Sequence, residues 1–162
     1  MTAPAADKLR IAGIVPESVV DGPGLRMTIF VQGCPHHCPG CHNPHTHDPS
    51  GGHWTTVSDL IAQYVENPLL DGITFSGGEP FNQPLPLARL GQVIRDRGGT
   101  VMTYTGYVLE ELIGLGERGG VGLLLAASDM LVDGPFIEKL RTQEMPFRGS
   151  ANQRLLKSGI DF

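Results

Sequence analysis

Asp71-Gly72-Ile73-Thr74-Phe75-Ser76-Gly77-Gly78-Glu79-Pro80 is a short apolar run that stops on a pair of glycines. Asp71 to Phe75 reads as a buried strand, and Ser76 to Pro80 as the turn that ends it. Helical patterns flank this stretch. Upstream, Thr56 reads as an N-cap with Asp59 three residues on, and Val57, Leu60, Ile61, Tyr64 and Val65 recur at helical spacing, predicting one buried face. Downstream, Leu85 to Arg97 carries Leu87, Leu90, Val93 and Ile94 and predicts a second helix. Further out, Thr100 to Tyr104 predicts a strand that ends in Thr105-Gly106, and Val108 to Leu115 a short helix. Met130 to Asp133 predicts a strand that ends in Gly134-Pro135. Toward the start, Arg10 to Val15 and Leu25 to Gln32 predict strands on either side of the turn Asp21-Gly22-Pro23-Gly24. Gly33 to Asp48 has no periodicity and predicts an ordered loop.

Strand alternating with helix or loop implies a mostly parallel sheet built from βα units. Sites in such folds form at the C-terminal edge of the strands, so the loops after Gln32, Phe75, Tyr104 and Asp133 are expected to meet there. The tail after Leu140 lacks clear periodicity. The chain is therefore read as one domain over residues 1–162, with 141–162 as a lid or partner-docking tail.

A chain of 162 residues is long enough to bury a core without disulfides. Its 22 glycines and 13 prolines have no period and predict many tight turns. Lys and Arg number 12 against 17 Asp and Glu, a net charge of −5, which argues against nucleic acid or an anionic membrane as a partner. No secretory signal pattern opens the sequence, and Leu123 to Ala127 is far too short to span a bilayer. A cytoplasmic protein is expected.

The 3 cysteines, Cys34, Cys38 and Cys41, are odd in number and clustered in CPHHCPGC, which is not a disulfide framework. Their C-x3-C-x2-C spacing suits a metal centre and leaves two readings open. A histidine (His36, His37, His42, His45 or His47) completes a Cys3His zinc site in an interaction module. Alternatively, three thiolates hold three irons of a [4Fe-4S] cubane, and the fourth iron stays open to a small molecule.

CPHHCPGCHNPHT resembles the cluster loop of the radical S-adenosylmethionine (SAM) enzymes. In that family three cysteines bind [4Fe-4S], and SAM chelates the remaining iron. Many members carry an aromatic residue before the third cysteine. Gly40 stands there in this chain, as in the small branch that activates glycyl-radical enzymes. Gly77-Gly78-Glu79-Pro80 is similar to the family's GGEP segment, whose backbone and carboxylate meet the SAM ammonium. Val20 to Arg26 resembles the segment before the cluster strand in glycyl-radical activases, and Thr103 to Tyr107, Leu131 to Ile137, Pro146 to Ser150 and Asn152 to Arg154 are similar to the members that act on anaerobic ribonucleoside-triphosphate reductase. The resemblance runs from about Asp21 to Arg154.

The resemblance implies an incomplete (β/α) barrel of mostly parallel strands with the cluster loop at their C-terminal edge. It implies metal ligation by Cys34, Cys38 and Cys41, and SAM binding by Ser76, Gly77, Gly78, Glu79, Tyr104, Thr105 and Asp133. No side chain is expected to be catalytic itself, since cluster and SAM carry the chemistry. The implied partners are the large glycyl-radical subunit of that reductase and a flavodoxin-like or ferredoxin-like electron donor. Pyruvate formate-lyase is the rival target, and a deazaguanine-forming synthase the more distant enzyme rival. Asp21 and Arg26 read either as a turn residue and a surface charge or as site residues. Trp54 reads as packing. Arg148 and Arg154 read either as a solvated tail or as partners of an acidic surface.

Overall fold

A computed structural model describes residues 7–162. The first six residues, which the expectation about a secretory signal includes, lie outside the described residues. Among the described residues, seven strands form one sheet: β1 (Lys8–Ser18), β2 (Arg26–Val31), β3 (His53–Thr56), β4 (Gly72–Gly77), β5 (Thr100–Tyr104), β6 (Met130–Asp133) and β7 (Arg154–Lys157). Four α-helices accompany them: α1 (Val57–Val65), α2 (Pro84–Asp96), α3 (Leu109–Leu115) and α4 (Val121–Ala127). The strand order is β3-β1-β2-β4-β5-β6-β7. Pairing is parallel across β2, β4, β5 and β6, and antiparallel for β1 with β2 and β3 and for β6 with β7. The fold is thus a mixed α/β sheet, parallel only at its centre, which corrects the mostly parallel expectation. The reason is the connections. A helix or long loop links each neighbouring pair of central strands, while β1 returns to β2 through a short turn, which permits only the antiparallel arrangement.

Side chains alternate across the sheet. Met27, Ile29, Val31, Ile73, Phe75, Val101 and Leu131 join the buried core with Leu60 of α1, Leu87 and Leu90 of α2, and Leu124 of α4. The intervening residues Arg26, Thr28, Thr74, Ser76 and Tyr104 face the other side. That face mixes polar residues with Phe30, Met102 and Val132, and the loop between β1 and β2 covers part of it: Thr28 Oγ1 donates to Asp21 Oδ2 at 3.1 Å, and Thr74 Oγ1 to the Asp21 carbonyl at 2.8 Å.

Several elements differ from the sequence expectations. The four-residue β3 and β7 lie at the two edges of the sheet and are too short for a periodicity to show. The predicted tail therefore contributes a strand instead of hanging free. Helix α4 is short and rich in small and aliphatic residues, so its pattern does not separate helix from strand. In α1, Thr56 Oγ1 accepts the Asp59 N–H at 3.1 Å as expected, but Val65 at the far end is exposed. Trp54 is 61% exposed on edge strand β3, with the Arg10 guanidinium 5.3 Å from its ring centroid, rather than in the core. Arg26 is fully buried. Its five N–H groups reach Thr74 Oγ1, Thr100 Oγ1 and the carbonyls of Pro23, Ile73 and Thr100, at 2.7–3.1 Å. Burial pushes its guanidinium below the usual value. It sits at the N-terminal end of the parallel strands, so it ties three of them together far from the site edge.

Candidate functional site

The C-terminal ends of β2, β4, β5 and β6 surround a cavity of about 910 Å³. Cys34, Cys38 and Cys41 line it, as do Ser76, Gly77, Gly78, Tyr104 and Thr105. The four loops expected to converge do so.

Local bonds shape the cysteine loop. Gly33 N–H donates to the Thr46 carbonyl at 2.7 Å and Cys34 N–H to the His47 carbonyl at 3.2 Å, so the loop closes on its own root. Gln32 Nε2 reinforces this root by reaching the His45 and Asp48 carbonyls at 3.0 and 2.7 Å. Cys41 N–H donates to the Cys38 carbonyl at 3.1 Å, and Asn43 N–H points at Cys41 Sγ at 3.4 Å. Gly40 between these cysteines has φ +74°, and a Cβ there would stand 2.8 Å from the Glu138 carboxyl carbon. The left-handed backbone disfavours the aromatic residue common in the resembled family, whereas the exposed Glu138 side chain can swing aside.

All three thiols are free and partly buried. Burial pushes the Cys34 thiol up, aided by the nearby Glu79 charge, so ionising it calls for a cation in the cavity. Three free sulfurs on one cavity and no fourth cysteine in the sequence match the donor chemistry of a cubane held at three corners, while among the described residues no three His, Cys, Asp or Glu side chains converge on a single metal-ion position. Of the candidate histidines, His36 has its Nε2 engaged by Glu79, His42 packs on Phe136 at 5.0 Å and His37 meets His47 edge-on at 5.1 Å, while His47 Nε2 is buried beside the cavity with no hydrogen-bond partner.

The glycine pair lies against the root of the cysteine loop. Gly77 has φ +91°, and a Cβ there would stand 2.6 Å from Val31 N. Gly78 N–H donates to the Val31 carbonyl and Glu79 N–H to the Gly33 carbonyl, each at 2.8 Å. This turn therefore offers its backbone to the cavity and has no room for side chains on its other side.

Two of the predicted SAM-binding side chains stand behind the cavity wall. Glu79 is fully buried. Its Oε1 accepts from Phe81 N–H at 3.0 Å and Thr105 Oγ1 at 2.8 Å; its Oε2 accepts from His36 Nε2 at 2.7 Å and Gly106 N–H at 2.8 Å. All four lone-pair sites of the carboxylate are used, so none is free for an ammonium group. Asp133 is also fully buried. Its Oδ1 accepts from Arg154 Nε at 2.9 Å; its Oδ2 accepts from the Leu109 N–H at 2.7 Å and from an Arg154 terminal nitrogen. It closes a clasp in which Gln153 Nε2 reaches the Gly134 carbonyl at 3.1 Å and Asn152 Nδ2 the Pro135 carbonyl at 2.8 Å. Both carboxylates thus have protein donors: a strand-end carboxylate beside backbone N–H groups is drawn toward them.

A further wall comes from the segment read as a lid or partner-docking tail. Residues 141–150 form a hairpin-like loop, with Arg141 bridged to Ser150 and Thr142 N–H bonded to the Gly149 carbonyl at 3.1 Å. Arg141, Met145, Phe147 and Arg148 from this loop line the cavity. Tyr104 Oη donates to the Phe147 carbonyl at 2.7 Å and holds the loop down. Pro146-Phe147-Arg148-Gly149 was the available signal, and it resembled a docking tail because nothing local in it specifies an inward face. Arg154 is 43% exposed but not free, since Asp133 and Glu110 engage it.

An iron–sulfur assignment now rests on more than the cysteines. The 4Fe-4S single cluster domain family matches residues 20–156, and the chain belongs to it. Within that class, an Escherichia coli (strain K12) protein described as anaerobic ribonucleoside-triphosphate reductase-activating protein is 37% identical over 146 residues, covering 85% of this chain and 92% of its own length. A protein of the same description from Vibrio cholerae is 36% identical over 149 residues, covering 85% and 91%. The chain belongs to the family of these activating proteins. A pyruvate formate-lyase-activating enzyme from Clostridium pasteurianum is 38% identical over 104 residues, covering 60% of this chain and 44% of that enzyme.

Proposed function

We propose that this chain is a radical SAM iron–sulfur activase that generates the glycyl radical of anaerobic ribonucleoside-triphosphate reductase. The observation that carries the reading is the convergence of three free cysteines and the glycine turn on one cavity. It is joined by alignment over 92% of the E. coli activating protein's length. The pyruvate formate-lyase-activating enzyme supports the same chemistry, but this chain spans less than half of it, so the reductase is the favoured target. The parallel strands β2, β4, β5 and β6 with the cluster loop at their C-terminal edge support an incomplete (β/α) barrel as the parent architecture.

Cys34, Cys38 and Cys41 would each hold one iron. The backbone of Ser76, Gly77 and Gly78 would lie along the methionyl end of SAM, because only glycine lets main chain come that close. When bound, the reduced cluster and SAM together supply a carbon-centred radical able to take a hydrogen atom from a glycine Cα. The chain's own part is placement. Thr105 and Glu79 brace the glycine turn from behind, and Tyr104 holds the 141–150 loop against the cavity, where it keeps water out. The open end of the cavity would receive a glycine segment of the large reductase subunit. The reading also carries a flavodoxin-like or ferredoxin-like one-electron donor and a cytoplasmic setting. Among the described residues no helix is long and apolar enough to cross a membrane.

Anaerobic reconstitution tests this reading. About four irons per chain are expected, with SAM cleavage on reduction. Mixing with the reductase and SAM should give a glycyl-radical signal in electron paramagnetic resonance (EPR). Changing Cys34, Cys38 or Cys41 to Ala should abolish cleavage in each case. Turnover retained in any single variant, or a colourless protein holding one zinc, overturns it.

A further inference from the structure

Glu79 connects three loops through one carboxylate. It takes the Phe81 N–H of its own turn, the Thr105 hydroxyl and Gly106 N–H from the loop after β5, and the His36 Nε2 from the loop after β2. His36 lies in the sequence between Cys34 and Cys38. Its imidazole is held on two further sides. The Tyr107 ring meets it edge-on, with centroids 4.5 Å apart, and Gly106 passes so close that a Cβ there would overlap the imidazole. The ring is 16% exposed and lines the cavity, with one hydrogen-bond acceptor.

We infer that His36 and Glu79 act as a positioning pair that sets where the cysteine loop stands relative to the glycine turn, and that Glu79 makes no contact with SAM. The inference rests on the function proposed above and deepens it. The reasoning is geometric. SAM must span from an iron held by the cysteine loop to the backbone at Ser76–Gly78. Those two surfaces belong to different loops, and their spacing is kept by Gly78 N–H and Glu79 N–H on one side and by the His36–Glu79 bond on the other. Losing the bond leaves the first contact intact, so the loop can still take up iron while its tilt relaxes. Groups that orient ligand-bearing segments in this way typically contribute about 10-fold or more to binding or activity.

The test uses the full chain, reconstituted anaerobically, in the variants His36→Ala, His36→Gln, Glu79→Gln and the double variant His36→Ala/Glu79→Gln. Three quantities are read: iron per chain, SAM affinity, and the change that SAM causes in the EPR spectrum of the reduced cluster. His36→Ala should keep its iron, bind SAM about 10-fold more weakly and show a diminished spectral change. His36→Gln, whose amide can still donate to Glu79, should recover affinity to within about 3-fold of the parent. The double variant should be no weaker than the worse single variant, since His36 acts on the turn only through Glu79, although Glu79→Gln also sets an amide NH2 against the Gly106 N–H.

Unchanged SAM affinity in His36→Ala overturns the inference. So do losses that multiply in the double variant, which is what direct contact by Glu79 would give. Loss of iron in both His36→Ala and His36→Gln also overturns it, because the side chain would then serve assembly of the loop and not its orientation. A parent protein that binds neither four irons nor SAM would instead remove the functional reading, and this inference with it.

Discussion

Replacing Arg154 with Ala removes two of the three hydrogen bonds that satisfy the buried Asp133 carboxylate and leaves only the Leu109 N–H. Breaking a fully buried pair costs about 3–5 kcal/mol, because the surviving charge is stranded. The Arg154 side chain is 43% exposed, however, so water can replace part of what it supplied. That lowers the expected loss to about 2–3 kcal/mol. For a domain of this size the corresponding fall in Tm is roughly 5–10 °C. Arg154 also bonds Glu110 at 2.8 and 3.1 Å, but that carboxylate lies in solvent, and Glu110→Ala should cost far less. Arg154→Lys keeps the charge and loses the planar fork, so it should fall between. The assay is urea unfolding of the cluster-free protein under reducing conditions, which isolates the clasp from the metal. Arg154→Ala within about 0.5 kcal/mol of the parent would refute the reasoning, as would a Glu110→Ala variant equally destabilised.

Gly78→Ala should destabilise the fold by about 1–3 kcal/mol and lower iron uptake. Its Cβ would press on the Gly33 and Val31 backbone, 2.9 Å from Gly33 C and 3.0 Å from Val31 O, and backbone cannot rotate away. Normal stability and iron content would show the turn to be looser than it stands. Burial pushes all 3 tyrosines, Tyr64, Tyr104 and Tyr107, above the ordinary phenol value, with nearby carboxylates adding at each. The unfolded chain then loses its phenol protons first. This stabilisation is present below about pH 10 and is lost as pH rises through the raised native values. Tyrosinate absorbance should therefore appear together with unfolding, and ionisation near pH 10 with structure retained would contradict it. Tyr104→Phe should cost about 1 kcal/mol and loosen the 141–150 loop, which limited proteolysis would report; an unchanged cleavage rate there would show the Phe147 contact to be idle.

Much of the site was legible because its signals are local. Three cysteines within one turn-rich loop specify a donor set whatever surrounds them, and Gly77-Gly78 after an apolar run specifies close backbone approach. Thr56 with Asp59 specified the start of α1 because a cap acts over three residues. Edge strands β3 and β7 were not legible, since four residues with one neighbour carry too little pattern.

The carboxylates mark the boundary most clearly. Glu79 reads as a ligand contact through its glycine motif and Asp133 through its place at a strand end, yet both turn inward to protein donors. Their partners are 43 and 21 residues away, at His36 and Arg154. Composition, spacing and periodicity determined the chemistry on offer: thiolates for metal, glycines for approach, and alternating strands and helices to bring four loops to one edge. The tertiary structure alone decided which polar atoms are already satisfied. A hydrogen bond depends on the angle and distance between groups that only the finished fold brings together, and a buried carboxylate goes where its donors are.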